Sequence, residues 1–179
     1  EYQTASVLWG TVETNGQHSF HQMLHQGTQL VPIDFILTLQ SDQQNDSHHS
    51  YLVANCLAQA NALMTGKSED EAKHELITSG HTEAQASELA VHKHMPGNRP
   101  STMIILQRLT PETLGALIAL YEHKVYVQSV IWSINAFDQW GVELGKVTSK
   151  RIHARLIGEN SSDNFDTSTE GVISMYRSL

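Results

Sequence analysis

Between Leu30 and Leu39 the chain places Leu30, Val31, Ile33, Phe35, Ile36, Leu37 and Leu39 in one short run. A strand wetted on one side alternates apolar and polar residues, whereas this run is apolar nearly throughout and needs cover on both faces. That requirement points to a parallel sheet flanked by helices. Two more runs fit the same role: Ser6-Val7-Leu8-Trp9-Gly10, read as a first strand ended by glycine, and Thr102 to Leu106. Strands separated by helical patterns predict an α/β fold: a three-layer domain with a mostly parallel sheet, incomplete, followed by long C-terminal helices.

The helical patterns lie between and after these runs. Thr14 or Asn15 can cap a helix to about Gln26, with Gly27 as its stop. The polar stretch Gln40 to Ser50 reads as a loop, and Tyr51 to Met64 repeats apolar residues at helical spacing before Gly66. Ser68 and Glu71 have capping-box spacing and open a polar helix ending at Ser79 and Gly80, and Thr82 to about Val91 forms another short segment. Pro96-Gly97-Asn98-Arg99-Pro100 is a loop of tightly specified path. Thr110-Pro111 starts a long helix through Leu114, Leu117, Ile118, Tyr121, Val125 and Ile131, expected to be the central packing helix. Asp138 can cap the next helix, which ends near Gly158; Asn160 to Ser168 is polar, and Thr169 to Tyr176 suits a terminal helix.

The 179 residues suffice for one sizeable core, and the hydrophobic fraction of 40% is that of a globular chain. A net charge of −8 with only 11 Lys and Arg argues against a broad nucleic-acid footprint, which needs clustered cations. The best apolar window, Leu114 to Leu120, stops at Glu122, His123 and Lys124, short of the roughly 20 residues of a membrane span. The start, Glu1 to Ala5, has no signal-peptide pattern and no initiator Met, so the chain reads as part of something longer. A single cysteine, Cys56, fits a reducing cytoplasm and reads as a small buried hydrophobe.

Two clusters carry chemistry. Glu13-Thr14-Asn15-Gly16-Gln17-His18 follows the first expected strand, where a helix N-terminus offers unpaired N–H groups to a ligand. An imidazole such as that of His18 exchanges protons near neutrality. The plainer alternative is a histidine bonded within the fold. His18, His21 and His25 also share one helical face and could hold zinc, although no carboxylate or cysteine completes a recognised ligand pattern. In the second cluster, Asn135 to Lys146, a cap at Asp138 would put Gln139, Glu143 and Lys146 on one face. There an amide could hold an anion while an ammonium reaches a sugar oxygen two turns away. The alternative is a solvated face with Glu143 paired to Lys146. Arg99 is expected to hold loop carbonyls rather than a ligand.

These residues resemble the glucose-6-phosphate isomerase family. Ser129-Val130-Ile131-Trp132, Ser133-Ile134-Asn135-Ala136 and Phe137-Asp138-Gln139-Trp140-Gly141-Val142-Glu143-Leu144-Gly145-Lys146 look like its C-terminal signature. The likeness continues, in chain order, at Thr14-Asn15-Gly16-Gln17-His18, His25-Gln26-Gly27-Thr28, Asp34-Phe35, Gly97-Asn98-Arg99-Pro100 and Gly115-Ala116-Leu117 through Tyr121-Glu122-His123-Lys124. It implies a sugar-isomerase (SIS) α/β domain over residues 1–158, partial, with a tail and short helix over 159–179. It also implies a cytoplasmic dimer that interconverts glucose 6-phosphate and fructose 6-phosphate without a cofactor or metal, by ring opening and a cis-enediol. By resemblance His18 assists ring opening from across the dimer interface, Lys146 acts near the ring oxygen, and Gln139 contacts the substrate phosphate.

The likeness covers only the C-terminal third of such enzymes. Their proton-transferring carboxylate lies in a Glu-Ser-Asn-Gly-like segment upstream of the matched portion, as do the Ser/Thr-rich phosphate loop and an active-site arginine. Glu13 does not replace that base: it falls in Trp9-Gly10-Thr11-Val12-Glu13, where the family has Trp-Gly-Glu-Pro-Gly, a stretch whose Glu is not the base. The resemblance therefore implies a fragment that is nearly inactive alone and that associates with itself or with the rest of the protein. A noncatalytic sugar-phosphate-binding module on the same scaffold is the rival reading.

Overall fold

The computed structural model describes residues 3–4, 6–41, 47–159 and 163–179. They form two compact units, Glu1–Tyr121 and Glu122–Leu179.

The first unit contains α1 (Glu13–Gln26), β1 (Ile33–Gln40), α2 (Ser47–Thr65), α3 (Glu69–Thr78), α4 (Glu83–Lys93), β2 (Ser101–Arg108) and the start of α5 (Pro111–Trp132). β1 and β2 pair in parallel, with Phe35 opposite Met103 and Leu37 opposite Ile105. Parallel pairing requires a crossover, here the helices α2 to α4. α2 lies on both strands and on α1. Leu24 of α1, Phe35 and Leu37 of β1 and Cys56 and Leu63 of α2 form the main core, with Phe20, Val31 and Met103 packed around it.

α3 and α4 form a hairpin with a small core of its own, Ala72, Leu76, Ala86 and Ala90. The capping box expected at Ser68 and Glu71 is present, and Thr82 and Gln85 make a second one. Lys67 and Met95 close the base of the hairpin by a backbone bridge. Gly66 and Gly97 meet there with φ of 68° and 67°. A Cβ on Gly97 would stand 2.7 Å from the Thr65 carbonyl oxygen, so the crossing admits only glycine.

Several expectations are corrected. Ser6 to Gly10 forms no strand, and Val7 and Leu8 are 84% and 88% exposed. An apolar run signals a surface that wants cover, but a strand exists only where a second strand completes its ladder, and no described residue does so here. α1 is capped at Val12 without a side-chain bond, not at Thr14 or Asn15. The loop expected over Gln40 to Ser50 gives way to α2 from Ser47, and residues 42–46 lie outside the described residues. Residues 160–162 of the expected polar stretch Asn160 to Ser168 do so as well.

α5 is not the central packing helix. Leu114, Ile118, Val125 and Ile131, four of the apolar positions that define its pattern, are 45% or more exposed. Spacing reveals that these positions are apolar, not what covers them. The central role falls to α2, the helix seated on the sheet.

In the second unit α6 (Trp140–Leu156) and α7 (Thr167–Arg177) pack together. Ile173 is buried, Arg155 bonds Glu170 at 3.2 Å, and Asp166 caps α7 through the Thr169 N–H. Arg151 joins Asp163 at 2.7 Å and lies over the Phe165 ring.

Candidate functional site

His18 stands on the second turn of α1, exposed at the helix surface. The helix places its neighbours by spacing: Gln17 beside it, and His21 one turn on, facing inward. His21 is only 5% exposed. A buried imidazole needs a hydrogen-bond partner, and Nδ1 of His21 finds Oε1 of Gln59 on α2 at 3.2 Å. Nε2 of Gln59 donates to Oε1 of Gln17 at 3.3 Å. Nε2 of Gln17 then lies 3.4 Å from Nε2 of His18. His18, an expected site residue, thus ends a chain of side chains that crosses from α1 to α2 and back.

The other end of α1 is tied by Arg99. Its Nε and Nη2 donate to the His25 carbonyl at 3.1 and 2.8 Å, and Nη2 also to the Gly27 carbonyl at 3.1 Å. Gly27 ends the helix as expected, but in an extended conformation, φ −64° and ψ 152°. It therefore makes no left-handed closing turn, and the last carbonyls of α1 need an outside donor. Arg99 supplies it: it holds carbonyls, as expected, but those of a helix end rather than of a loop.

His25 sits beneath this clamp with Nδ1 buried and without a hydrogen bond. Its pKa is pushed below the ordinary imidazole value, first by desolvation and then by the nearby charges of His21 and Arg99. His18, His21 and His25 share a helix without sharing a ligand position: one is exposed beside Gln17, one is buried on Gln59, one is under Arg99. Among the described residues no three His, Cys, Asp or Glu side chains gather as a metal site.

A cleft of about 390 Å³ opens beside β1, bordered by Thr11 and Thr14 at the start of α1, Asp34 and Thr38 on the strand, and Leu52 and Asn55 on α2. The Asp34 carboxylate accepts from the Tyr121 hydroxyl at 3.1 Å. His18 does not line this cleft.

In the second unit the start of α6 departs from the spacing expectation. Gln139, not Asp138, is the N-cap of α6, with φ −138° and ψ 52°. Asp138 spends its carboxylate on the Gln139 N–H at 2.7 Å. Because the Gln139 backbone is not helical, helical spacing does not align its side chain with Glu143 and Lys146. Lys146 is 64% exposed and paired with Glu143 at 2.9 Å, the solvated-face arrangement, and both border a shallow groove along α6. Such an exposed pair contributes only about 0.3–0.5 kcal/mol, so it leaves the ammonium easy to recruit to an anion.

Gln59 escaped the sequence reading. Its only signal is an amide on the inward side of α2 between Ala58 and Ala60, at a level where a buried partner on α1 would need it.

With this geometry in hand, comparison with known proteins places the chain. It is 54% identical over 174 residues to a glucose-6-phosphate isomerase of Pseudomonas aeruginosa, matching 97% of this chain and 31% of the relative. A glucose-6-phosphate isomerase of Alteromonas mediterranea is 51% identical over 177 residues, 99% of this chain and 32% of that protein. The chain therefore spans about a third of the length of these curated relatives. A crystal structure of a glucose-6-phosphate isomerase from Chlamydia trachomatis superimposes with a TM-score of 0.72 at 33% identity, over 99% of this chain and 31% of that one. The family model of phosphoglucose isomerase matches residues 1–173, and the chain belongs to that family.

Proposed function

We propose that this chain is the C-terminal portion of a glucose-6-phosphate isomerase, and that it contributes His18, Lys146 and Gln139 to a site interconverting glucose 6-phosphate and fructose 6-phosphate. Residues 1–158 belong to an SIS-type domain, and 159–179 form its tail. The enzyme is a cytoplasmic homodimer whose subunits share sites. The observation that carries this reading is the family match along 1–173, with His18, Gln139 and Lys146 each standing in a matched motif.

The chemistry needs an acid–base group at the ring oxygen and a separate base that moves a proton between C1 and C2. His18, an exposed imidazole, suits the first role, because a proton given to the ring oxygen lets the C1–O5 bond break as the C1 hydroxyl loses its own. Lys146 supplies positive charge where negative charge grows on the opening sugar. Gln139, at the start of α6, offers an amide to the phosphate, beside helix N–H groups that favour an anion. The base carboxylate comes from the part of the relatives that this chain does not span. Loss of a general base alone costs about 10²–10⁴-fold in rate, so the 179-residue chain by itself is nearly inactive.

The test is complementation. The chain is co-purified with the remaining two thirds of the Pseudomonas aeruginosa relative and assayed for isomerisation. Activity that appears only in the mixture, and is lost with His18→Ala or Lys146→Ala, supports the proposal. Substantial turnover by the chain alone refutes the division of the site. Sugar-phosphate binding by the mixture without turnover would favour a noncatalytic module instead.

A further inference from the structure

We propose that Gln17 and Gln59 are positioning residues that run a one-way donor chain from buried His21 to His18 and hold His18 with Nε2 unprotonated. The place of His18 in catalysis rests on the isomerase reading; the chain itself does not.

Hydrogen-bond polarity sets the direction. A glutamine side chain donates only from nitrogen and accepts only at oxygen. In two amides joined in series, fixing the sense of one bond therefore fixes the sense of all. Here His21 Nδ1 faces Gln59 Oε1 and must carry the proton. Gln59 Nε2 faces Gln17 Oε1 and donates to it. Gln17 is left with its nitrogen toward His18, so His18 Nε2 receives a hydrogen bond and its proton resides on Nδ1. The bonds measure 3.2, 3.3 and 3.4 Å, long enough that each is individually weak. What the chain supplies is direction rather than strength.

Burial anchors this direction. His21 is almost fully enclosed and Gln59 is half-buried between α1 and α2, so reversing the chain means turning enclosed groups together. An isolated exposed histidine samples both tautomers; this one is held in one. For ring opening, that leaves Nδ1–H as the donor His18 offers to a sugar oxygen, while its Nε2 lone pair is taken up by the Gln17 amide.

The decisive variant is Gln59→Glu, the same shape with two acceptor oxygens. Residue 59 then accepts from His21 as before but no longer donates to Gln17. Gln17 turns its amide to donate to the carboxylate, its oxygen faces His18, and His18 must place its proton on Nε2. Long-range proton–nitrogen NMR on the 15N-histidine-labelled 179-residue chain reads the tautomer without substrate, at about pH 9, above the titration of ordinary imidazoles. The expected result is Nδ1–H in the parent chain and Nε2–H in Gln59→Glu. Gln17→Met, altered at the helix surface where folding is least at risk, should release His18 to a mixture of both. A parent His18 protonated on Nε2, or a tautomer unmoved by both substitutions, overturns the proposal. Because no activity enters the measurement, its failure leaves the isomerase reading standing, and failed complementation leaves the chain standing.

Discussion

Replacing Arg99 tests whether one side chain, more than 70 residues away in sequence, closes the helix that carries His18. The guanidinium serves two carbonyls, those of His25 and Gly27, through three donor contacts of 2.8–3.1 Å. A hydrogen bond to a charged donor contributes about 1.5–3 kcal/mol, and two acceptors lose theirs in Arg99→Ala. Arg99 is half-buried, so water recovers part of the loss, and the expected cost is about 2–3 kcal/mol. Arg99→Lys should cost about half as much, because an ammonium is a point charge that cannot fork across both carbonyls. In urea, with a slope of about 2 kcal/mol/M, the alanine variant should unfold about 1–1.5 M earlier at unchanged slope. Circular dichroism follows the transition, and hydrogen exchange at the last turn of α1 locates the loss. An alanine variant within about 0.5 kcal/mol of the parent, or a lysine variant as stable as arginine, would refute the clamp.

Three other outcomes follow from the same structure. Gly97→Ala should destabilise far more than Gly80→Ala: both glycines have positive φ, but an added Cβ meets backbone atoms under 3 Å away at Gly97 and nothing within 4 Å at Gly80. The strain at Gly80 is then only the left-handed backbone cost of about 1–2 kcal/mol, and equal losses in thermal unfolding would contradict the close crossing. His25, depressed in the folded chain, binds fewer protons there than when unfolded; its contribution is whole above about pH 6.5 and falls away as pH drops toward its lowered value. His25→Asn should accordingly lose less stability than the parent as pH falls below about 6.5, and parallel stability profiles would count against the assignment. Finally, α5 is apolar around its circumference, which in a finished core means a covered helix, so the chain alone should self-associate. Sedimentation at rising concentration checks this, and a strict monomer would contradict it.

Elements whose signal is local are legible in the sequence itself. The capping box at Ser68 and Glu71, the apolar strand and the proline start of α5 each depend on residues within a few positions; the capping box and the helix start form where expected, and the strand expected over Leu30 to Leu39 forms at Ile33–Gln40. The start of α6 slips by one residue: Gln139 takes the cap position without a side-chain bond while Asp138 accepts from its N–H, because which residue turns out of the helix depends on loop geometry that spacing does not encode. The run at Ser6 to Gly10 fails for a different reason: its apolar residues are real, but a strand is a property of two segments rather than one.

The proposed site residues divide in the same way. His18, Gln139 and Lys146 stand out because they lie in contiguous motifs, and motif chemistry survives in one dimension. Gln59 and the true place of His21 do not, since their meaning lies in contacts spanning 38 and 42 positions. By itself the sequence determined the family, two of the three strands it called for and which residue types could do acid–base work. Tertiary structure alone decided that Arg99 caps α1, that α2 rather than α5 holds the core, and which nitrogen of His18 is turned toward Gln17. Those outcomes depend on which buried polar groups meet, and burial is settled only when the whole unit packs.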